Sequence, residues 1–576
     1  MTRRNRSTSI PAESWRYWWN FNKDRFLKLK VRLYSGRSVQ SESAEFFFGR
    51  RTRHVDKDTN RPGRAYLDVH LIPRLLLALE DPEVQVRYRA AVALGRVGTA
   101  AQIPALKKLL KDKFTRVREG ALIGLVLLMT EDARPIFLDI LEDNKKGKNL
   151  LGGQLTNDDL RGVAALGLGL LGEDEGGLSR KALIRQIRNR QNDHHVPMVA
   201  TIALGLLEGN AQEVFQIIQD LRAIADKNSR VDEWVRAQAV LAMGRITALN
   251  NLEADPAVLK YMIRVLGHNK SANLRRSAAS ALGYLARGKG ASVPAVVKAL
   301  LKELDRGKDR ISRGFAAVAV GQVGGPQAHR ALCERLLKEK SQLKVFCGLG
   351  LGILCAGLAD GIDRGSADTT EHDRCESDQI LRLKGLQYLL GAFKRTRSPE
   401  LKGGLAICLG IGRDPLAGKT ILKAMKASRD VRFRGDCAVA LGMVGHSNAM
   451  DLLMRMLKGS DAQPRLKEHV AIGLGLMGYC NVVPPLISSL KTGKSHYSMV
   501  AITQALGFVG DRSAILPLTA FLDVKKHPTH RRAYACWALG TIGDQRMLPA
   551  FTPVRSNHNY LASCGTFNHL LYLVDM

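Results

Sequence analysis

Cysteine, aromatic residues and long apolar runs are scarce in this sequence of 576 residues. Its nine cysteines all lie at or after Cys333 and form no CxxC pair, which argues against a disulfide framework. Aromatic residues make up only 6% of the chain. The longest apolar runs, Ala121–Met129 and Cys347–Ala359, are shorter than the roughly 18–20 residues that span a bilayer. We therefore predict no transmembrane segment.

Several cysteines lie where a small core residue is expected. Cys347, Cys408, Cys437 and Cys536 fall within apolar stretches of helical pattern, where a free thiol packs as a small hydrophobic side chain. An odd, unpaired set of cysteines is typical of a reducing compartment. The sequence therefore predicts a cytoplasmic location.

Acidic residues are also few relative to basic ones. The chain has 87 Lys and Arg against 54 Asp and Glu, which gives a net charge of +33 and an isoelectric point near 10. A field of this sign attracts polyanions, whether acidic proteins, nucleic acids or acidic lipid head groups.

What the sequence has in abundance is an internal repeat. The segments Val86–Gly98, Leu274–Ala286 and Phe433–Gly445 share a frame with an apolar residue, a basic residue, several small or apolar residues and then Leu-Gly. An amphipathic helical pattern precedes each copy, for example Leu71–Asp81 and Val293–Leu304. The last frame position recurs thirteen times, at 95, 126, 169, 205, 244, 283, 321, 352, 410, 442, 475, 507 and 540.

Two helices in each period of mostly 31–39 residues indicate an array in which neighbours bury one continuous core. The frames, such as Asp81-Pro82, Val86-Arg87 and Leu94-Gly95 in the first copy, resemble the HEAT family, and most closely the short HEAT-like repeats first named from phycobilin lyases. The resemblance covers about Leu67 to Gly543. It implies an all-α, right-handed α-solenoid of about thirteen helix pairs, with the second helices lining the concave surface.

The regions outside and within the array suggest further divisions. Residues 1–65 form a Trp-rich basic segment, 66–545 the solenoid and 546–576 a C-terminal cap. Trp15, Trp18 and Trp19 are predicted to cap the first helix pair, or alternatively to form a patch that binds a partner. Asp360–Gln379 is predicted to be a solvated acidic insertion within 357–380. The Trp-rich segment resembles one that precedes HEAT arrays in uncharacterised exported bacterial proteins, which keeps export as an alternative.

Two kinds of sequence motif resemble nucleotide-binding sites, but the residues around them do not fit such a site. Gly167–Gly172 and Gly473–Gly478 match G-x-G-x-x-G, but each lies at the end of a second helix rather than between a strand and a helix. Gly412–Thr420 resembles a P-loop but has five residues between its glycines where the phosphate cradle requires four. We predict no catalytic, cofactor or metal site.

The second frame position is basic in eleven of the thirteen copies. An Asp six residues upstream accompanies only Arg87, Arg118 and Lys467, so most of these cations have no counter-ion in that place. One hypothesis is a basic stripe on the concave face that binds a partner. The alternative is a structural role, with the side chains stacked on the preceding repeat and capping carbonyls, while acids elsewhere compensate their charge. The set comprises Arg87, Arg118, Arg161, Arg236, Arg275, Arg313, Lys344, Lys402, Arg434, Lys467 and Arg532.

The leading functional prediction is a non-enzymatic scaffold that binds an acidic protein partner on this basic face. Nucleic-acid binding through the phosphate backbone is the first alternative, weakened by the lack of aromatic residues among the cations. The second alternative is chromophore handling of the phycobilin lyase type, which only the kind of repeat supports.

Overall fold

The computed structural model of the chain describes residues 11–28, 30, 61–154, 156–189, 192–289, 293–362, 369–459, 463–478, 482–492, 496–523 and 526–575. Within these ranges the regular elements are α-helices and short 3-10 turns, without a strand. The prediction of an all-α fold of paired helices is therefore confirmed.

The helices follow one another with short connections. In chain order they are α1 (Trp15–Leu27), α2 (Arg64–His70), α3 (Ile72–Ala78), α4 (Val84–Val97), α5 (Ile103–Leu109), α6 (Thr115–Leu128), α7 (Arg134–Leu141), α8 (Lys145–Leu150), α9 (Asp158–Leu171), α10 (Leu178–Arg188), α11 (His195–Leu204), α12 (Ala211–Ala225), α13 (Glu233–Leu249), α14 (Pro256–His268), α15 (Ala272–Leu285), α16 (Pro294–Arg306), α17 (Arg310–Val323), α18 (Pro326–Lys338), α19 (Gln342–Ile362), α20 (Thr369–Arg395), α21 (Pro399–Ile411), α22 (Ala417–Ala427), α23 (Val431–Val444), α24 (Met450–Gly459), α25 (Pro464–Leu476), α26 (Val483–Thr492), α27 (His496–Val509), α28 (Ile515–Thr519), α29 (Thr529–Gly543), α30 (Thr552–Arg555) and α31 (Gly565–Asp575).

All thirteen sequence frames lie on the second helix of a pair. The local sequence explains where five of these helices begin, because a short polar side chain accepts a hydrogen bond from a free N–H group of the first turn. Asp430, for example, accepts from the N–H of Phe433 at 2.7 Å. The second helices are α4, α6, α9, α11, α13, α15, α17, α19, α21, α23, α25, α27 and α29.

The glycine of the Leu-Gly step allows neighbouring second helices to approach closely. A Cβ atom added to Gly95 would overlap the backbone of Gly124, and one added to Gly321 would overlap that of Gly350. Such backbone-to-backbone contact leaves no room for a side chain, so the frame requires glycine there for packing.

The chain divides into two compact units. The larger contains residues 28–254, 415–550 and 562–576. Its second helices stack in the order α23, α25, α27, α29, α4, α6, α9, α11 and α13. The last helix pair of the sequence thus packs on the first, and a Cβ added to Gly540 would lie 2.6 Å from Ala93 Cα. The α29–α4 seam therefore has the same close packing as an interface between consecutive repeats.

The smaller unit contains residues 1–27, 255–414 and 551–561, of which 1–10 and 290–292 are among those outside the described ranges. Its second helices stack in the order α15, α17, α19 and α21, and α1 packs against α19, α21 and α30. The N-terminal helix thus belongs to this unit. Trp15 packs against Gly404 of α21 in this unit, whereas the sequence analysis placed the tryptophans on the first helix pair.

The C-terminal segment differs from the predicted cap. Helix α31 lies across the second helices α9 and α11 of the larger unit. Tyr88 donates its hydroxyl hydrogen to the carbonyl of Leu573 at 2.5 Å, and Arg96 donates to that of Val574 at 2.6 Å. This segment therefore covers the faces of several second helices rather than the end of a stack.

The predicted acidic insertion is largely helical where it is described. Helix α19 continues to Ile362 and α20 begins at Thr369, while residues 363–368 lie outside the described ranges. The prediction of a solvated loop over Asp360–Gln379 is thus corrected for residues 369–379, which belong to α20.

One described segment is long and apolar enough to cross a membrane. Gln342–Asp360 spans 19 residues, of which 61% are buried inside the protein. It belongs to α19, which packs between the second helices α17 and α21. This is the position of a core helix of the array.

Candidate interaction surface

The basic frame residues lie in the first turns of the second helices, but their side chains turn back onto the preceding helix. Arg87 donates hydrogen bonds to the carbonyls of Asp81 and Pro82 at 2.8 and 2.9 Å, and Arg275 donates to that of Asn269 at 2.8 Å. These carbonyls follow the first helix of the same repeat, where the helix dipole attracts a cation. The same kind of contact is made by Arg118, Arg161, Arg236, Arg313 and Arg532.

Acidic partners for this set come from the following repeat. Arg87 Nε lies 3.0 Å from Asp112 Oδ2, and Arg313 Nη2 lies 3.3 Å from Glu339 Oε1. Both acids follow the first helix of the next pair. The sequence-based search six residues upstream missed both acids. Among the described residues, ion pairs are formed by five of the eleven cations: Arg87, Arg161, Arg275, Arg313 and Arg532.

The remaining members of the set are half-buried or buried. Lys467 is fully buried, and its Nζ lies 2.8 Å from a serine hydroxyl of the next repeat. Burial lowers the pKa of Lys344. Lys402 and Arg434 are half-buried, the former with its Nζ 5.1 Å from the centroid of the Phe393 ring. Nine of the eleven side chains thus make contacts within the array, all except Lys344 and Arg434, and partner binding through the set stays a prediction.

Segments of the chain itself cover second helices in both units. In the smaller unit, Asn559 donates to Ser277 Oγ at 2.9 Å, and the Tyr560 ring meets the Phe315 ring edge-on at 5.4 Å between centroids. In the larger unit, α31 covers α9 and α11. A partner would have to displace these segments to reach the faces that they cover.

The three N-terminal tryptophans are core residues. Trp15, Trp18 and Trp19 are 0%, 2% and 8% exposed, and Trp15 Nε1 donates to the carbonyl of Glu400 at 3.2 Å. A Cβ on Gly404 would lie 2.9 Å from the Trp15 ring. The prediction of an exposed aromatic patch for partner binding is therefore wrong for these side chains.

An exposed surface that the sequence analysis did not identify lies on the first helices of the smaller unit. Helices α18 and α20 pack side by side. Four large apolar side chains and four cations are exposed on them or just after them. We call this set the α18–α20 face: Leu337, Lys338, Lys340, Ile380, Leu383, Lys384, Tyr388 and Arg395.

Helical spacing places the α20 members of this face on one side. Ile380, Leu383, Lys384 and Tyr388 stand at i, i+3, i+4 and i+8, and the three apolar side chains are 40–48% exposed. Within the described residues, none of the four cations of the face forms an ion pair with an acidic side chain. The face therefore offers apolar area and unneutralised positive charge together.

A separate cleft opens among the turns of the larger unit. It has a volume of about 750 Å³, and its lining includes Arg188, Asp193, His194, Arg230 and Asp232. Because charges of both signs line it, the cleft does not have the mainly apolar wall that holds most organic ligands.

Comparisons with known proteins identify the repeat. The family model for HEAT repeats matches residues 72–148, which run from α3 to the second turn of α8. No curated protein matches the sequence.

Three solved structures illustrate the likeness. The complex of CpcE and CpcF of phycocyanin lyase from Nostoc sp. PCC7120 is 20% identical, with 49% of this chain and 93% of that chain covered and a TM-score of 0.28. Importin beta is 12% identical, with 86% and 81% covered and a TM-score of 0.31. Human deoxyhypusine hydroxylase is 18% identical, with 60% and 97% covered and a TM-score of 0.22.

Proposed function

We propose that this array of HEAT repeats is a non-enzymatic scaffold that binds an acidic protein segment on the α18–α20 face. The observation that carries the proposal is the combination of exposed apolar side chains with cations that have no acidic partner among the described residues. Surface apolar residues scattered singly need no explanation, but a cluster framed by charge is typical of an interaction site.

The apolar part of the face favours a protein over a nucleic acid. Phosphates contact cations and gain nothing from Ile380 or Leu383, whereas an amphipathic acidic helix can bury its apolar side chains against them. Burial of each such side chain is worth about 1.5–3 kcal/mol in full, so the apolar contacts can supply affinity that salt does not screen. The cations then set orientation and speed of association.

The frame arginines already form hydrogen bonds and ion pairs within the array, which favours a binding site elsewhere than on the second helices. A cation that already satisfies helix carbonyls and a carboxylate must lose those contacts before it can bind a partner. Lys338, Lys384 and Arg395 carry no such cost, because they have no described ion-pair partner. The positive charge available to a partner is therefore on the outer turns and first helices.

The test compares two probes on the purified full chain. One is an acidic amphipathic peptide with Leu at helical spacing, and the other is a polyglutamate of equal charge. We expect the amphipathic peptide to bind at least about tenfold more tightly, with a weaker salt dependence than polyglutamate. The double variant Ile380→Ser/Leu383→Ser should remove that difference.

The matched control is Leu77→Ser/Lys107→Glu, which alters an exposed apolar side chain and an exposed cation of the larger unit. It should leave binding of both peptides unchanged. Duplex DNA and single-stranded RNA are titrated alongside. If they bind more tightly than the peptides, with a linear fall of log affinity against log salt and no effect of the Ile380/Leu383 variant, the nucleic-acid alternative replaces this proposal.

A further inference from the structure

Three potential metal ligands meet where the C-terminal helix crosses two second helices. Glu119 lies on α6, Asp159 in the first turn of α9 and His569 on α31. One ligand atom from each side chain lies within 4.8 Å of the other two, and His569 Nε2 is 3.2 Å from Glu119 Oε2. The three residues come from distant parts of the sequence, so only the fold brings them together.

Glu119 is unusual for its place in the repeat. It holds the third frame position, on the covered face of the second helix, where the thirteen copies have an acid only here and at Glu468. Its side chain is only 6% exposed. A buried carboxylate requires a compensating positive charge, yet within the described residues no Lys or Arg forms an ion pair with it, and His569 is its hydrogen-bond partner.

The surroundings add negative charge to a chain that is otherwise strongly basic. No hydrogen-bond donor contacts the Asp159 carboxylate among the described residues, although Arg161 follows two positions later and pairs with Asp158 at 3.8 Å. Asp158, the residue before Asp159, places a second carboxylate in the same turn. This end of the covered face therefore favours a bound cation.

The donor set indicates which cation fits. One imidazole nitrogen and two carboxylate oxygens suit borderline divalent ions such as Zn²⁺ or Mn²⁺ better than Ca²⁺ or Mg²⁺, which prefer oxygen alone. Bonds of about 2.0–2.2 Å place two ligands of one ion about 3.0–3.4 Å apart, depending on its geometry. The 3.2 Å between His569 Nε2 and Glu119 Oε2 lies in that range.

We propose that Glu119, Asp159 and His569 bind one divalent transition-metal ion, with Zn²⁺ the best match, and that the ion fastens α31 to α6 and α9. His569 is 32% exposed, so water can enter and complete the coordination. The ion determines how firmly the C-terminal helix covers the second helices.

The primary test is a Zn²⁺ titration of the full chain, first stripped with a chelator, in competition with a fluorescent zinc chelator. We expect one tight site per chain. Asp159→Asn and His569→Gln should each weaken it by at least about 10–100-fold, the range for lost contacts at metal sites. His268→Gln changes an exposed histidine of the smaller unit and should leave the affinity unchanged.

A second readout follows the helix itself. Carboxypeptidase trimming of α31 should be slowed by Zn²⁺ in the unaltered chain and not in His569→Gln. Glu119→Gln keeps an oxygen near the imidazole but removes the charge, so it should also lose the Zn²⁺ effect. If this buried variant does not fold, the half-exposed Asp159→Asn carries the test. The proposal is overturned if the unaltered chain has no stoichiometric Zn²⁺ site. It is also overturned if Asp159→Asn and His569→Gln bind Zn²⁺ as tightly as the unaltered chain does.

Discussion

Arg532 and Asp81 are 451 positions apart in the chain and form a buried, doubly hydrogen-bonded ion pair. Arg532 donates from Nε and Nη2 to the two carboxylate oxygens of Asp81, both at 2.9 Å, and the side chains are 5% and 3% exposed. Arg87 and Asp112 make the same contact between the first and second repeats. The seam between the last and first repeats therefore repeats the bonding of an ordinary repeat interface.

This pair gives the first prediction. Arg532→Met should destabilise the chain by about 3–5 kcal/mol, because it leaves the buried Asp81 carboxylate without a positively charged partner, with only the Glu83 N–H still donating to it. The double variant Arg532→Met/Asp81→Leu should recover much of that loss. Urea titrations of Arg532→Met, Asp81→Leu and the double variant measure their free energies of unfolding. Arg64→Ala, which breaks an exposed pair with Asp68, is the control and should cost at most about 1 kcal/mol. A small, additive cost for Arg532→Met and Asp81→Leu would show that the seam does not depend on the pair.

The second prediction concerns the frame glycine. Gly95→Ala should destabilise the larger unit by about 1–3 kcal/mol, because the added methyl group overlaps the backbone of Gly124 and forces the helices apart. Gly267 is an exposed helical glycine with open space around its Cβ position. Gly267→Ala should therefore stabilise by about 0.5–1 kcal/mol. Thermal melts measure the change in stability of both variants. Equal changes in melting temperature would contradict the close approach of α4 and α6 at Gly95.

The third prediction uses the tryptophan fluorescence. Trp234 is 38% exposed, whereas Trp537 and the three N-terminal tryptophans are at most 8% exposed. Acrylamide should quench Trp234 efficiently and the others weakly. The Trp234→Phe variant should accordingly lose most of the quenchable signal. Strong quenching in that variant would restore the exposed aromatic patch that the sequence suggested.

The fourth prediction concerns the thiols. Burial raises the pKa of Cys347 and of Cys536 to about 12, so both should resist iodoacetamide at pH 8 in the native chain and react once urea unfolds it. The pKa of each thiol is higher in the folded chain than in the unfolded chain. The thiols' contribution to the free energy of unfolding is therefore complete below pH 9 and is lost as the pH rises toward 12. Peptide mapping by mass spectrometry measures the labelling. Native labelling of either residue would contradict its burial.

The sequence predicts the repeat and its helix pairs because these depend on local spacing. Gly95 and the other frame glycines report a steric requirement that twelve of the thirteen copies share, the exception being Val126, so comparison of the copies reveals it. The basic second frame position is also visible by comparison of the copies, but the contacts of these arginines within the array were harder to infer. The partners of Arg87 are backbone carbonyls, which any sequence supplies, and an acid 25 residues downstream, which a search within one repeat does not reach.

Other features depend on tertiary packing that no single segment encodes. Asp81 and Arg532 each look like an ordinary member of a repeat, and nothing in either segment indicates that the two repeats meet. Glu119 was visible as an exceptional acid within the frame, but its neighbour His569 lies on a helix whose position the frame does not predict. The α18–α20 face was missed because the sequence analysis followed the frames of the second helices, whereas this face lies on first helices, where Ile380, Leu383 and Tyr388 already show helical spacing.

The α29–α4 seam has a consequence for synthesis on the ribosome. At about 5–20 residues per second, the face of α4 that receives α29 is made about half a minute to a minute and a half before its cover emerges. A nascent chain must therefore carry that apolar surface, around Ala93, through most of translation. The first repeats of the array are therefore the earliest to be made and among the last to be completed.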